Sequence, residues 1–193
     1  MQRGPRRAIG TFFGIDASDG ELLAHAAVTD WTSIIGYSVT ISMNSWWATI
    51  WRHGFQPTAI EVTVEVDALE VVQAHGPLVT LPALEKLLAR LHALQALAAG
   101  RHTQIVFVTY DIFRRADGYR LVGALQIRGE SRGCAIYLRV KDHGDTWRMS
   151  AQFDLQLSDF GVKPPYLLRG PMRVGDHVTV SFAADLAKDV WAK

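Results

Sequence analysis

Residues 118–140 read GYRLVGALQIRGESRGCAIYLRV, and this stretch decides the fold class. Large apolar side chains occupy alternate positions on both sides of an interruption at Arg128-Gly129-Glu130-Ser131. Because the side chains of a β-strand alternate between its two faces, a period of two predicts two strands, each with one apolar and one polar face. Gly129 accepts the positive φ that a tight turn needs. The stretch is therefore predicted to be a β-hairpin.

Most of the chain repeats this alternation. The clearest examples are Thr58 to Val66 and Thr146 to Leu157, while four consecutive apolar residues from Ile105 predict a strand covered on both faces. Asp19-Gly20 is a turn dipeptide, predicted to join the first two strands as a hairpin. Further strands are predicted at 11–16, 21–31, 37–51 and 173–186, which makes about nine strands in all.

Two adjacent tryptophans interrupt the strand predicted after Gly36. Neighbouring side chains on a regular strand point to opposite faces, so Trp46 and Trp47 indicate a bulge or a strand covered on both sides. Both are interpreted as core or interface residues. Trp47 is assigned to the interior.

One segment, between Thr80 and Gly100, has helical periodicity. Its leucines recur at three- and four-residue spacing, which predicts a single amphipathic helix at about 80–99. Thr80 is the expected N-cap and Pro82 fits the first turn. The leucine face is predicted to dock on the sheet or to close one end of a barrel. A partner-binding or membrane-touching helix is the alternative.

Composition excludes several classes of protein. Twenty basic residues nearly balance nineteen acidic ones, so the chain has no overall field with which to attract nucleic acid. The 49% hydrophobic content suits one domain with a sizeable core. Residues 1–10 are predicted to be a flexible basic tail, and no apolar stretch of signal-peptide length is present, so a cytoplasmic location is expected.

No catalytic or metal-binding motif accompanies these strands. The seven histidines are scattered singly, without the HxH, HExxH or CxxC spacing of metal sites. The single cysteine, Cys134, is interpreted as a small buried hydrophobe. We therefore expect no catalytic residues, no metal and no cofactor.

Consecutive strands joined by short turns predict an all-β antiparallel meander, which closes into a barrel of eight strands or slightly more to remove its edges. Medium-sized apolar residues interspersed with small ones such as Ala151 favour an inner cavity for a long hydrocarbon. Core packing is the alternative for each lining position. The predicted cavity-lining, ligand-binding residues are Ile41, Met43, Trp47, Val62, Val64, Ile105, Phe107, Leu121, Leu125, Ile136, Leu138, Phe153 and Leu155.

Three segments of the second half resemble the YceI-like family of polyisoprenoid-binding, lipocalin-like barrels, and first-half residues such as Gly36 before Val39-Thr40-Ile41 resemble an actinobacterial branch of it. The three segments are GALQIRG at 123–129 followed by Ser131-Arg132, LSDFGVKPP at 157–165, and VGDHVTV at 174–180. The resemblance implies a single barrel domain over residues 11–193. It also implies non-catalytic binding, storage or transport of an isoprenoid or isoprenoid quinone in the barrel interior. Transient membrane contact is a separate expectation.

Two other functions stay open on the sequence alone. The histidines allow a haem or metal enzyme that uses the same cavity. A barrel packed solid with side chains would instead act as a protein-interaction module through its helix. The oligomeric state is not specified by any pattern in the sequence.

Overall fold

The computed structural model describes residues 11–29, 37–75, 82–163 and 173–189. The predicted tail at 1–10, the predicted N-cap Thr80 and Gly36 lie outside these ranges. The described ranges form eleven strands and one α-helix, α1 (Ala83–Ala96). The strands are β1 (Thr11–Asp16), β2 (Gly20–Thr29), β3 (Tyr37–Met43), β4 (Trp46–His53), β5 (Gln56–Glu65), β6 (Leu69–His75), β7 (Gln104–Arg115), β8 (Gly118–Ile127), β9 (Glu130–His143), β10 (Thr146–Gln156) and β11 (Arg173–Ala187).

All eleven strands belong to one curled antiparallel sheet, in the order β1-β4-β5-β7-β8-β9-β10-β11-β2-β3-β6. The two edge strands, β1 and β6, each belong to a longer chain path, which here means two strands that follow each other in the sequence across a short break. In these paths β1 continues into β2, and β5 continues into β6. The path from β3 to β4 is broken in the same way. Counting each of these three broken pairs as one path reduces the eleven strands to eight. The sheet thereby returns on itself, as expected for the predicted eight-stranded lipocalin-like barrel.

The three breaks lie side by side and are tied together by backbone hydrogen bonds. The amide of Ala17 donates to the carbonyl of Trp46 at 3.1 Å, and the amide of Glu65 donates to the carbonyl of Ser45 at 2.9 Å. Between the second and third breaks, the Asn44 amide donates to the Ala68 carbonyl at 3.4 Å. Irregular backbone therefore occurs at the same level in three adjacent paths. The amides named above are nevertheless paired.

The first break corrects the hairpin predicted at Asp19-Gly20. There β1 pairs with β4, whereas β2 pairs with β3 and β11, so the dipeptide makes a bend within one path. The Asp16 carboxylate accepts hydrogen bonds from both the hydroxyl and the amide of Ser18, which lower the pKa of Asp16. Gly20 is required because a Cβ there would lie 2.2 Å from the Ala183 carbonyl oxygen.

The hairpin predicted within residues 118–140 is formed. Its strands β8 and β9 pair from Gly118↔Arg139 to Ile127↔Glu130. The two turn residues, Arg128 and Gly129, have φ of 54° and 80°. A two-residue turn with positive φ at both positions has a backbone twist that matches the twist of the flanking strands. Half-buried Cys134 packs against the core on this hairpin, and burial raises the pKa of its thiol.

Helix α1 covers the free edge of β6. The side chains of Lys86 and Arg90 donate to the exposed carbonyls of Val72 and Leu69, at 2.8 and 2.6 Å. Arg90 also donates to the carbonyl of Asp67. These contacts satisfy acceptors that an open strand edge would leave to another chain. The helix thus completes one end of the barrel.

The prediction that the leucine face of the helix docks on the sheet is only partly confirmed, since Leu88, Leu94 and Leu97 are half-buried and Leu97 packs against the core. Leu84, Leu87 and Leu91 are 66%, 50% and 48% exposed, whereas Ala89 is buried against the sheet. Small side chains on the inner face allow the helix to approach the strands closely. The leucine stripe, defined as Leu84, Leu87 and Leu91, consequently lies on the outer face of the helix.

Candidate functional site: an apolar cavity in two chambers

The barrel encloses a lower chamber with a volume of about 160 Å³. A single water molecule needs roughly 10–15 Å³ on the same measure, so the interior is not packed solid. The wall is built by the inward face of almost every strand. Its residues are Ile15, Leu22, Met43, Trp46, Ala48, Ile50, Ile60, Val62, Val64, Ile105, Phe107, Leu121, Leu125, Ile127, Ile136, Leu138, Met149, Ala151, Phe153, Leu155, Val180 and Phe182.

An upper chamber of about 120 Å³ lies under helix α1. The inner face of the helix closes it on one side, and the opposite wall comes from β2, β3, β6 and β11. Small side chains are frequent in this wall, which leaves room for a ligand. Its residues are Ala24, Ala26, Val39, Ile41, Met43, Leu69, Val71, Ala89, Ala93, Ala96, Leu97, Ile105, Ile127, Leu155, Leu157, Val162, Val174, Val178 and Val180.

The two chambers adjoin at a waist formed by five residues that line both of them. On the path from β3 to β4 the lining positions extend from Val39 to Ile50, roughly 35 Å along the strand at ~3.3 Å per residue. With a strand tilt of about 40° the cavity is roughly 25 Å long. Such a slot fits an extended chain better than a compact ring. The waist residues are Met43, Ile105, Ile127, Leu155 and Val180.

Twelve of the thirteen predicted lining residues border these chambers. Ile41 borders the upper chamber, Met43, Ile105 and Leu155 border both, and the remaining eight border the lower chamber. Their side chains therefore converge on one cavity. Their part in binding a ligand stays a prediction.

Trp47 does not line the cavity, so its assignment to the interior was wrong. Trp47 is 39% exposed, whereas its neighbour Trp46 is 2% exposed and borders the lower chamber. Val39 and Met43 face inward at odd positions in β3, but the break at 44–45 shifts the inward face of β4 to even positions. A single irregularity in a strand exchanges its two faces for every residue that follows.

Sequence reasoning missed two groups of lining residues. Val178, Val180 and Phe182 alternate along β11, and this signal was sufficient to place them on the inward face. Ala89, Ala93 and Ala96 recur at three- and four-residue spacing along α1, in parallel with the leucines. Because leucine is the more hydrophobic residue, the sequence favours the leucine face as the buried one, although small residues pack a helix closer to a sheet.

The cavity wall contains no ionisable side chain among the described residues. Trp46 is the one described lining residue with a nitrogen or oxygen atom in its side chain, and that atom, Nε1, is buried. No group of three or more His, Cys, Asp or Glu residues that could hold a metal ion occurs in the described ranges. The surface that the described lining residues present to the cavity is therefore apolar.

The SDFG sequence at 158–161 closes the upper chamber from the side of β11. Residues 157–160 form one turn of 3₁₀ helix that buries Phe160, and Leu157 and Val162 line the chamber. The Asp176 carboxylate accepts hydrogen bonds from the Ser158 hydroxyl at 2.6 Å and from the Ser158 amide at 2.8 Å. The LSDFG and VGDHV segments thus contact each other and hold this wall in place.

Acid should weaken this contact. Hydrogen bonds from the Ser158 hydroxyl, which has the larger effect, and from the Ser158 amide lower the pKa of Asp176 below its usual 3.8. The stability that this contact adds to the fold is therefore fully present above pH 3.8 and is lost as the pH falls through the lowered pKa. We expect Asp176→Asn to lower the free energy of unfolding by less than about 1 kcal/mol at pH 7, because the pair is partly solvated. In urea unfolding at several pH values, the difference in free energy of unfolding between this variant and wild type should become smaller below about pH 4.

The matched control is Asp159→Asn, which alters an exposed carboxylate in the same 3₁₀ helix. This variant should show no comparable pH-dependent difference. The stabilising role of this contact would be contradicted if the loss of unfolding free energy in Asp176→Asn were the same at pH 3 as at pH 7. A control variant with the same loss would contradict it as well.

These features define the class of the protein: a lipocalin-like antiparallel barrel with an internal apolar cavity. The YceI-like domain matches residues 16–186, so the chain belongs to the YceI-like family. No curated protein matches the sequence.

Solved structures share the fold at low sequence identity. The crystal structure of Burkholderia cenocepacia BcnA is similar with a TM-score of 0.62 and 15% identity, over 90% of this chain and 99% of that one. The Campylobacter jejuni YceI protein is similar with a TM-score of 0.56 and 12% identity, over 76% of this chain and 83% of that one. At such identity the likeness concerns the fold.

No helix in the described part of the chain has the length and apolar character needed to cross a bilayer.

Proposed function

We propose that this protein binds a long apolar lipid, an isoprenoid or isoprenoid quinone, in the two-chamber cavity and acts as a non-catalytic carrier or store. The observation that carries the proposal is the wall itself: two adjoining chambers lined by apolar side chains along roughly 25 Å. Burial of apolar ligand surface in such a site is favourable at about 25 cal/mol per Å². Membership of the YceI-like family supports a barrel that binds a ligand, and the isoprenoid class is suggested by the resemblance of the sequence motifs to polyisoprenoid-binding barrels.

The same wall argues against a charged substrate. Placing an uncompensated phosphate or carboxylate in an apolar site costs far more than the contacts return. Haem would need an axial ligand, and the described lining residues include no His, Cys or Tyr, only the weakly ligating thioethers of Met43 and Met149. Binding without chemistry is therefore the function that these residues support best.

A fluorescent polyprenyl probe provides the test. Titration of the pure protein should give one saturable site with blue-shifted probe emission, and an unlabelled polyprenyl lipid should displace the probe. An excess of a hydrophilic sugar or nucleotide should leave the emission of the bound probe unchanged. The proposal would be refuted if no polyprenyl lipid and no acyl lipid bound at micromolar concentrations.

Loading of the cavity requires a lipid to leave a bilayer, and we propose that α1 makes the contact. Ala89, Ala93 and Ala96 on its inner face line the upper chamber, while the leucine stripe on its outer face is exposed. Val72, on the strand that α1 covers, is also 41% exposed. The helix thus has one apolar face toward the cavity and another available to a membrane surface.

Replacing the leucine stripe with glutamine, in the variant Leu84→Gln/Leu87→Gln/Leu91→Gln, should slow lipid transfer from vesicles by several-fold. Equilibrium affinity for a soluble short-chain probe should not change, because these side chains lie outside the cavity. Stopped-flow transfer from labelled vesicles measures the rate.

The control replaces three other exposed apolar side chains with glutamine, those of Tyr110, Phe113 and Tyr137 on the outer surface of β7 and β9. It should transfer lipid at the wild-type rate. Equal slowing in both variants, or no slowing in the first, would show that α1 is not the membrane contact.

A further inference from the structure

We propose that helix α1 is a lid, which opens at its N-terminal end and admits the lipid to the upper chamber. Lys86 and Arg90 form the latch that holds the lid closed on β6. This inference rests on the proposed function for the identity of the ligand that enters. The opening itself is a property of the helix and is measured without a ligand.

The helix lies over the upper chamber but makes few buried contacts with the barrel. Among the residues of α1, all of which the structure describes, Ala89 alone is buried. It packs in a small cluster with Val39 and Val71 that is separate from the main core. An alanine side chain removes little apolar surface from water, so this contact contributes little to stability. Elements with few buried apolar contacts open locally at low free-energy cost.

The latch consists of hydrogen bonds that water can replace. Arg90 donates to the carbonyl of Leu69 at 2.6 Å, and the exposed Lys86 donates to the carbonyl of Val72 at 2.8 Å. Both acceptors belong to the edge strand β6, whose other neighbour is β3. When the helix moves away, these cations and carbonyls become hydrated, and only the small net worth of each hydrogen bond is lost. The closed position is therefore favoured without being locked.

The two ends of the helix are held differently. At the N-terminal end, Pro82 stands at the N-cap position and supplies no side-chain hydrogen bond. At the C-terminal end, Ala96 and Leu97 pack against the main core. The connection that follows is tied to the barrel, because the Val66 amide donates to the carbonyl of Thr103 at 2.8 Å. The hinge therefore lies after Leu97, and the N-terminal end is the one that moves.

Movement in this direction uncovers the upper chamber. Ala89 and Ala93 line the chamber from the helix side, so they cease to cover it when the N-terminal half of α1 leaves β6. The leucine stripe lies on the outer face of the same part of the helix. A bilayer that receives these leucines stabilises the outward position of the helix, since their burial in the interface is favourable. Membrane contact and opening of the chamber are thereby coupled.

The opening is tested with a cysteine on the inner face of the lid. Ala89→Cys is made together with Cys134→Ala, and the ligand-free chain is labelled with a water-soluble thiol reagent. Adding Arg90→Met should raise the labelling rate roughly three- to tenfold, the worth of one hydrogen bond. The matched control is Arg132→Met, which loses a hydrogen bond to the Ser131 carbonyl at 2.9 Å on the β8–β9 hairpin. It should leave the labelling rate unchanged.

A cysteine in the lower chamber separates lid opening from global unfolding. Ala48 is 5% exposed and lines that chamber, while Ala89 is 7% exposed. A local movement of α1 leaves position 48 covered, so Arg90→Met should not change the labelling rate of Ala48→Cys. Equal acceleration at both positions would overturn the proposal, because it would show that the whole barrel opens. An unchanged labelling rate of Ala89→Cys in the Arg90→Met protein would overturn it too.

The entry route is tested with a fluorescent polyprenyl probe. Arg90 does not line the cavity, so Arg90→Met destabilises the closed lid in the free and the bound protein alike. Association and dissociation rates should both rise roughly three- to tenfold, with the equilibrium affinity unchanged within about twofold. Unchanged rates beside faster labelling of Ala89→Cys would show that the lipid enters elsewhere and would overturn the proposal. Faster labelling in a protein that binds no probe would refute the proposed function while supporting the opening of the helix.

Discussion

Leu125→Asp should abolish lipid retention and destabilise the barrel by roughly 3–5 kcal/mol, the cost of an uncompensated buried charge. Leu125 is 7% exposed and lines the lower chamber on β8. A carboxylate at this position faces apolar side chains and no cation among the described residues, so it either recruits water into the cavity or takes up a proton. Both outcomes remove the apolar surface that a hydrocarbon chain would cover. Equilibrium unfolding and lipid titration measure the two effects.

The neighbouring residue gives the matched control. Gln126 lies on the same strand and is exposed on the outer face. Gln126→Asp should bind lipid like wild type and unfold within about 0.5 kcal/mol of it. Leu125→Asn, which adds polarity without charge, separates binding from folding. A folded Leu125→Asn protein with wild-type affinity would contradict the assignment of this wall to the ligand.

Substitutions that fill one chamber at a time should change the affinities for long-chain and short-chain ligands differently. Ala26 lines only the upper chamber and Ala151 only the lower one. We expect Ala26→Phe to lower the affinity for a long-chain polyprenyl lipid at least about tenfold and to leave a short-chain probe unaffected. Each excluded methylene costs about 0.8 kcal/mol, so excluding two is enough for that loss. Ala151→Phe should weaken the binding of both ligands.

Ala27→Phe is the control for the upper chamber, since Ala27 is exposed next to Ala26 on the outer face of β2. It should change neither affinity. Overpacking by Ala26→Phe costs roughly 1–3 kcal/mol of stability, which thermal unfolding will register. If Ala26→Phe leaves the long-chain affinity unchanged, the two chambers do not form one binding site.

The alternation of apolar residues was sufficient to predict the barrel and most of its wall. In β8 and β10 the period of two is unbroken, so the sequence alone could place Leu121, Leu125 and Phe153 on the cavity. The short turn at Arg128-Gly129 was also predictable, because its chemistry is local. Where the backbone is regular, the facing of a side chain follows from its position alone.

The remaining features depend on contacts between distant segments. The break at 44–45 exchanges the faces of β4, and nothing in the adjacent residues distinguishes Trp46 from Trp47. The break is hydrogen-bonded to the breaks of the two neighbouring paths, which are distant in sequence. The orientation of α1 likewise follows from the gap it fills beside β6, where the small side chain of Ala89 permits close approach and a leucine would not. Hydrophobicity by itself predicted that the whole leucine face is buried, whereas Leu84, Leu87 and Leu91 are exposed.

The central claim, that the cavity holds a long apolar lipid, is tested most directly by mass spectrometry of an organic extract. The protein should be purified without detergent, extracted, and compared with the Leu125→Asp variant prepared in the same way. Wild type should release a polyprenyl or prenylquinone species at up to about one equivalent per chain, and the variant should release none. Extracts of wild type that contain no lipid, from a protein that also takes up no added polyprenyl lipid, would contradict the account.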